Sequence, residues 1–180
     1  AIYGVIAYQS AYLKYYFTVP FMTSVLNNEG GFYHTAAYIE EARRLGIRIL
    51  PPDVNHSDKI FTWREDTIRV GLNRVFELTW STLDKIIRER QRTGKYTDIY
   101  DFITRVRPRQ GELENLIKCG ALSTLNASEP ELLLQSHLFY RNKFRQRSTA
   151  RVPDKSVLQP YAPELRLQNE IKLLLSLLHI

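Results

Sequence analysis

The adjacent prolines Pro51-Pro52, directly after Ile47-Arg48-Ile49-Leu50, constrain this chain more than any other feature. Two fixed φ angles and two missing amides forbid a helix across them, and the residue before a proline is pushed to an extended path. The chain is thereby divided into a helical stretch, residues 1–46, and a differently built stretch beyond it. In the first, Tyr3, Tyr8, Tyr12, Tyr15 and Tyr16 are five of the chain's 11 tyrosines. Tyr8, Tyr12 and Tyr15 fall at helical spacing. A tyrosine stripe beside Lys14 offers π-faces to nucleic-acid bases, but such stripes more often pack in a core, and packing is the favoured expectation. Pro20 marks a second helix with Phe21, Met22, Val25 and Leu26 on its apolar face, stopped by Asn27-Asn28-Glu29-Gly30-Gly31. Thr35 to Leu45 reads as a third helix closed by Gly46.

Beyond the prolines, Val54 to Asp58 reads as loop. Ile60-Phe61-Thr62-Trp63 and Thr67-Ile68-Arg69-Val70, separated by Arg64-Glu65-Asp66, have the pattern of a small β-hairpin. Leu83 to Arg92 reads as a helix with Leu83, Ile86 and Ile87 inside, Lys85, Arg88, Arg90 and Arg92 on a basic outer face, and Thr93-Gly94 at its end. Helices follow over Tyr96 to Val106 and Glu112 to Lys118. Leu83, Ile86 and Ile87 recur as Leu113, Leu116 and Ile117 at an offset of 30 residues; two related helical units and a chance match of amphipathic helices both account for that. Ser128, with Glu131 as capping partner and Pro130 in the first turn, starts a helix running to about Phe144. Arg141, Lys143, Arg145, Arg147 and Arg151 then follow without an acid, leading to a proline-punctuated linker over residues 151–163 and a last helix from Glu164 to about Leu178.

Chemistry is excluded more readily than assigned. One cysteine, Cys119, excludes an internal disulfide framework, and His34, His56, His137 and His179 are scattered, so a structural metal is not expected. Asp53, Asp58 and Asp66 are the closest acidic group, but they lie where Asp serves loops and turns, which argues against a two-metal site. The sequence has no Gly-rich phosphate loop and no local signature of a Ser-His-Asp or Cys-His arrangement. No apolar run approaches the roughly 20 residues of a membrane span, and no signal-peptide pattern occurs, so a soluble intracellular protein is expected. At 180 residues, with 25 Lys+Arg against 19 Asp+Glu, the chain carries +6. That excess permits a polyanionic partner without requiring one. From these features the chain is a binding or scaffolding piece, with no catalytic residue expected in it.

Several stretches, in order, resemble bacterial C-family DNA polymerases, the family of DNA polymerase III alpha subunits. They are Ala7-Tyr8-Gln9-Ser10-Ala11-Tyr12-Leu13-Lys14 with Pro20-Phe21-Met22, Tyr38-Ile39-Glu40-Glu41-Ala42-Arg43-Arg44-Leu45-Gly46-Ile47, and Leu50-Pro51-Pro52-Asp53-Val54-Asn55-His56-Ser57. Ile68-Arg69-Val70-Gly71-Leu72, Asp101-Phe102 and Leu116-Ile117-Lys118-Cys119-Gly120-Ala121-Leu122 are similar to the family's helix-hairpin-helix region, and Glu170 with Lys172-Leu173-Leu174 to its helix leading into an OB domain. Gly30-Gly31-Phe32-Tyr33 leans toward the family's error-prone branch.

The resemblance implies a mainly α fold: a helical portion of the polymerase fingers over residues 1–46, a tandem helix-hairpin-helix DNA-binding module over 47–125 with one small β-hairpin near 60–70, a helix with a basic tail over 126–150, the linker, and a final helix over 164–180. It implies that the catalytic palm with its Mg²⁺ ions and the OB domain belong to other parts of a parent nucleotidyltransferase, bacterial, cytoplasmic and nucleoid-associated. No cofactor is implied for this piece. The implied partner is DNA, duplex or primed template, held through backbone amides of short turns without reading sequence. Arg74, Lys85, Arg88, Arg107, Arg109 and Lys118 are the implied phosphate contacts, with Tyr12 and Lys14 as fingers candidates. Where the family has a Gly-hydrophobic-Gly turn this chain has Glu77-Leu78-Thr79, which removes easy access to positive φ and sets a carboxylate where a phosphate would lie. Gln135-Ser136-His137-Leu138-Phe139 has the form of a sliding-clamp peptide, with Gln135, Leu138 and Phe139 as anchors, against a favoured reading of burial on a continuous helix. A degenerate relative serving as a protein-interaction scaffold is the alternative that the missing glycines suit.

Overall fold

The computed structural model describes residues 2–28, 33, 35–144 and 160–173. The Gly30-Gly31-Phe32 stretch, the basic tail at Arg145, Arg147 and Arg151, the linker up to residue 159 and the end of the last helix lie outside the described residues. The order is α1 (Ile2–Tyr16), α2 (Thr18–Asn28), α3 (Thr35–Arg44), β1 (Arg48–Leu50), β2 (Thr62–Arg64), β3 (Thr67–Arg69), α4 (Trp80–Thr93), α5 (Ile99–Val106), α6 (Gln110–Lys118), α7 (Glu129–Phe144) and α8 (Pro163–Leu173). The mainly helical reading holds. No helix among the described residues is long and apolar enough to cross a membrane.

Local chemistry accounts for most boundaries. α2 begins two residues before Pro20, which places that proline in the first turn, where a missing amide costs nothing. α4 opens at Thr79, whose hydroxyl accepts from the Thr82 amide, and closes at Gly94 with φ +86°. α5 starts at Ile99, three residues later than Tyr96, because Asp98 caps it and Tyr96 is needed elsewhere: its ring is buried and its hydroxyl donates to the Ile86 carbonyl at 2.7 Å. Arg105 lies 4.2 Å over that ring and donates to the Glu89 and Gly94 carbonyls, satisfying the end of α4.

The expected hairpin is present as β2 and β3, antiparallel, with Glu65 at φ +51° in its turn. The Ile47–Leu50 run adds what periodicity did not show: β1 pairs parallel with β3, in the order β1-β3-β2. Ile68, opposite Ile49 and Trp63, is fully buried under the sheet. Gly71 follows β3 where the Ile60 backbone crosses so closely that a Cβ would stand 2.4 Å from its carbonyl carbon.

The Pro-Pro-Asp-Val-Asn-His-Ser stretch is a structural knot. Asp53 accepts from the Asn55 amide at 2.7 Å and from the Thr124 hydroxyl at 3.2 Å, Asn55 exchanges two hydrogen bonds with the Tyr96 backbone, and Arg90 donates to the Val54 and Ser57 carbonyls. Among the described residues no group of three or more His, Cys, Asp or Glu is gathered for a metal. One core joins these parts, from Met22 and Leu26 of α2 through Ile68 to Leu83, Ile86, Phe102, Leu113 and Leu116.

The tyrosine stripe does not pack into that core. α1 buries no residue, and Tyr3, Tyr8 and Tyr15 are 89, 71 and 78% exposed. Spacing alone cannot tell which surface a stripe meets; here the rings meet each other, Tyr12 lying 4.5 Å from Tyr16.

Candidate nucleic-acid interface

The 30-residue offset proves to be architectural. Glu77 and Arg107, 30 apart, both take left-handed backbone, at φ +55° and +52°. Thr79 and Arg109 are both N-cap residues, with φ, ψ of −71°, 147° and −71°, 153°. Leu83, Ile86 and Ile87 in α4 and Leu113, Leu116 and Ile117 in α6 are all buried. Each unit is a tight turn through one left-handed residue into a helix, and the sequence repeat is its hydrophobic footprint.

The residues at the two starts differ in a way that couples them. Thr82 in the first unit corresponds to Glu112 in the second, and Glu112 is 4% exposed. One carboxylate oxygen accepts from the Thr79 amide at 3.0 Å and the Thr79 hydroxyl at 2.7 Å. The other accepts from the Thr82 hydroxyl at 3.0 Å and the Arg109 amide at 2.8 Å. A single carboxylate thus caps both helix starts and lies at the positive ends of both dipoles. Burial alone would push its pKa up, but the hydrogen bonds from Thr79, the Arg109 amide and Thr82 outweigh burial and hold it below the ordinary value. Sequence reading missed Glu112 as a site residue; its signal was an acid three positions after a helix start.

The structure sorts the candidate cations. Lys85 and Arg88 project from the exposed face of α4, and Arg107 and Arg109 are exposed at the second turn. Lys118 is half-buried, 3.8 Å from Glu114. Arg74 leaves the candidate surface: it is 7% exposed, donates to the Leu26 carbonyl at 3.2 Å and stacks 5.3 Å over Phe61. Its guanidinium ties α2 to the turn before α4, because the buried carbonyl needs a donor. Two arginines of the expected basic face of α4 are likewise committed, Arg90 to the loop carbonyls and Arg92 to Glu89 at 2.7 Å.

In the first turn Glu77 is exposed, Leu78 packs against the core and Thr79 needs no glycine, since its φ is negative. Lys14 pairs with Glu41 at 2.7 Å, joining α1 to α3, and the Tyr12 ring meets Tyr16 at 4.5 Å, tilted by 42°. Arg44 and then Lys14 hold the Glu41 carboxyl down to about 2. Gln135, Leu138 and Phe139 lie half-buried on continuous α7, and Phe139 packs against the core.

Paired turns of this geometry define a helix-hairpin-helix module, and residues 46–132 match the family described as the helix-hairpin-helix motif. The chain is also similar to one segment of bacterial DNA polymerase III alpha subunits. It is 38% identical over 136 residues to that of Borreliella burgdorferi, covering 73% of this chain and 12% of the relative. The Thermus aquaticus subunit is 39% identical over 127 residues, 68% of this chain and 10% of the relative, and that of Xylella fastidiosa strain Temecula1 33% over 140 residues, 75% and 12%. The chain therefore spans only a small part of each relative's length.

Proposed function

We propose that this chain supplies the duplex-holding part of a DNA polymerase III type alpha subunit, gripping the phosphate backbone without reading sequence while the palm, elsewhere in the parent, carries out Mg²⁺-assisted nucleotidyl transfer. The observation that supports it most is the side-by-side capping of α4 and α6 by Glu112, which sets two positive helix ends together with Arg107 and Arg109 exposed beside them and Lys85 and Arg88 along α4. Apart from the Thr82 amide, which donates to the Thr79 hydroxyl, the first-turn amides have no carbonyl to bond within their helices, so they and the arginines offer charge-assisted contacts to two phosphates. The similarity to alpha subunits supports the same partner. The error-prone lean rests on Gly30-Gly31-Phe32-Tyr33 alone, and clamp binding through Gln135, Leu138 and Phe139 would require α7 to unwind.

Titrating labelled duplex DNA over a salt series tests the grip. Counterion release gives a log-log slope of about 0.9 per neutralised phosphate, so a slope of about two or more is expected, falling by roughly two in an Arg107→Gln, Arg109→Gln variant. An unchanged slope in that variant would overturn the assignment. A scaffold without DNA contact is the second reading, favoured by the Glu77 carboxylate in the first turn. Absent or salt-insensitive binding would support it.

A further inference from the structure

The outer face of the sheet carries a groove of about 490 Å³ that the paired turns do not use. In register, Arg48, Thr67 and Arg64 form one cross-strand row, and Leu50, Arg69 and Thr62 form the next row on the same face. Side chains alternate along strands, so each of the three strands gives this face one guanidinium group. All six residues line the groove. Arg48 and Arg64 flank Thr67 roughly 10 Å apart, and Arg69 stands diagonal to both at about 7–8 Å. Trp63 shares the intervening row with Ile49 and the buried Ile68, so its ring belongs to the opposite face.

These cations are not spent on the fold. The side chains of Arg48 and Arg64 have neither a hydrogen bond nor an ion pair among the described residues, whose ion-paired arginines are Arg43, Arg44, Arg92, Arg105 and Arg166. Arg69 donates to the Pro51 carbonyl at 3.3 Å, which orients it without neutralising it. The Thr62 and Thr67 hydroxyls beside them are also without a partner among the described residues. His56, at the rim, is held by its neighbours, with Nδ1 3.0 Å from Asp53 and Nε2 2.9 Å from Lys95. Glu65, at the hairpin turn, is the acid of the lining.

Shape and chemistry select the occupant. A concavity of this volume has the size of a small-molecule site and does not admit a duplex. The six strand residues of the face include no aromatic, so a base has no ring to stack on. Guanidinium forks and hydroxyls are donors that match phosphoryl oxygens, and their triangular arrangement brings three charges to one compact anion. We propose that this groove binds a chain of two or three phosphoryl groups, free as pyrophosphate or tripolyphosphate or carried as the tail of a nucleotide. Arg48 and Arg64 take the two ends, and Arg69 with the threonine hydroxyls takes the middle. The site is separate from the paired turns and does not depend on duplex binding there.

Calorimetric titration with orthophosphate, pyrophosphate and tripolyphosphate at one ionic strength tests it. Affinity is expected to rise about fivefold with each added phosphoryl group. An Arg48→Gln, Arg64→Gln variant, which keeps the Arg69 contact to Pro51, should bind tripolyphosphate at least about tenfold more weakly while unfolding at the wild-type midpoint. Thr67→Val keeps the β-branch in the strand and should weaken binding about threefold, whereas Glu65→Gln should tighten it by about the same factor. Thymidine triphosphate separates the two sources. Affinity equal to that of tripolyphosphate supports both, and weaker nucleotide binding supports the free chain. Nucleotide binding more than about tenfold tighter would mean that a base is read, and would overturn the proposal. So would absent binding, unchanged affinity in the Arg48→Gln, Arg64→Gln variant, an equal loss in the Arg107→Gln, Arg109→Gln variant, or a duplex salt slope lowered by the Arg48→Gln, Arg64→Gln pair. Tripolyphosphate binding that survives a failure of duplex binding would support this site while the reading of the turns fell.

Discussion

Glu112 shows how much can depend on one side chain. Its four hydrogen bonds close two helix starts at once, so removing its charge weakens both. Glu112→Gln should cost about 1–3 kcal/mol at pH 7, read from a denaturant midpoint, since a neutral amide replaces charge-assisted bonds. The pH dependence follows from the direction of its shift. Because the folded pKa lies below the unfolded one, near 4.3, the stabilisation is complete above that value and is lost as pH falls through the folded pKa. Wild type and variant should therefore begin to converge as pH falls below the unfolded value, and converge fully once it has passed the folded pKa. At the first turn, Glu77 holds left-handed backbone without a glycine. Glu77→Gly should stabilise by about 1 kcal/mol by removing that strain, and in the same protein raise duplex affinity by removing a carboxylate from the phosphate's path. Glycine at Thr79 should do the reverse, because it deletes a hydroxyl bonded to Glu112.

Elements differ sharply in what the fold asks of them. α1 buries nothing, and Lys14 is its ion-pair link to α3 among the described residues. Removing residues 2–13 should lower the unfolding free energy, read from a denaturant midpoint and slope, by less than about 1 kcal/mol. α4 and α6 are the opposite case: Leu83 and Leu113 occupy equivalent buried positions in the paired units, and Leu→Ala at either should cost about 2–5 kcal/mol. Comparable costs at the two sites, measured by urea denaturation, would show that the repeat is energetic as well as geometric. The helices themselves were legible in sequence because periodicity, caps and glycines act within a turn or two. The sheet was only half legible: the hairpin is local, whereas β1 reaches β3 across an intervening loop and leaves no periodic trace in three residues.

Across the whole molecule the charge balance is misleading until the arginines are placed. Arg74, Arg90 and Arg105 satisfy carbonyls at the joints between elements, whereas Arg107 and Arg109 face solvent. A duplex salt slope well below that expected from the full +6 is therefore predicted, set by the few cations at the turns rather than by net charge. The amino-acid order alone placed most helix ends within two or three residues and showed that the prolines force extended chain, while it left the 30-residue recurrence open between related units and a chance match of amphipathic helices. Those properties follow from backbone sterics and from burial patterns read over a few neighbours. Which cation serves a carbonyl and which faces solvent, that Glu112 caps two helices, that three strands turn their arginines to one face, and that the tyrosine stripe stays outside the core came from folding. Each depends on contacts between residues far apart in the chain, where desolvation and hydrogen-bond geometry choose the partner and no local pattern records the choice.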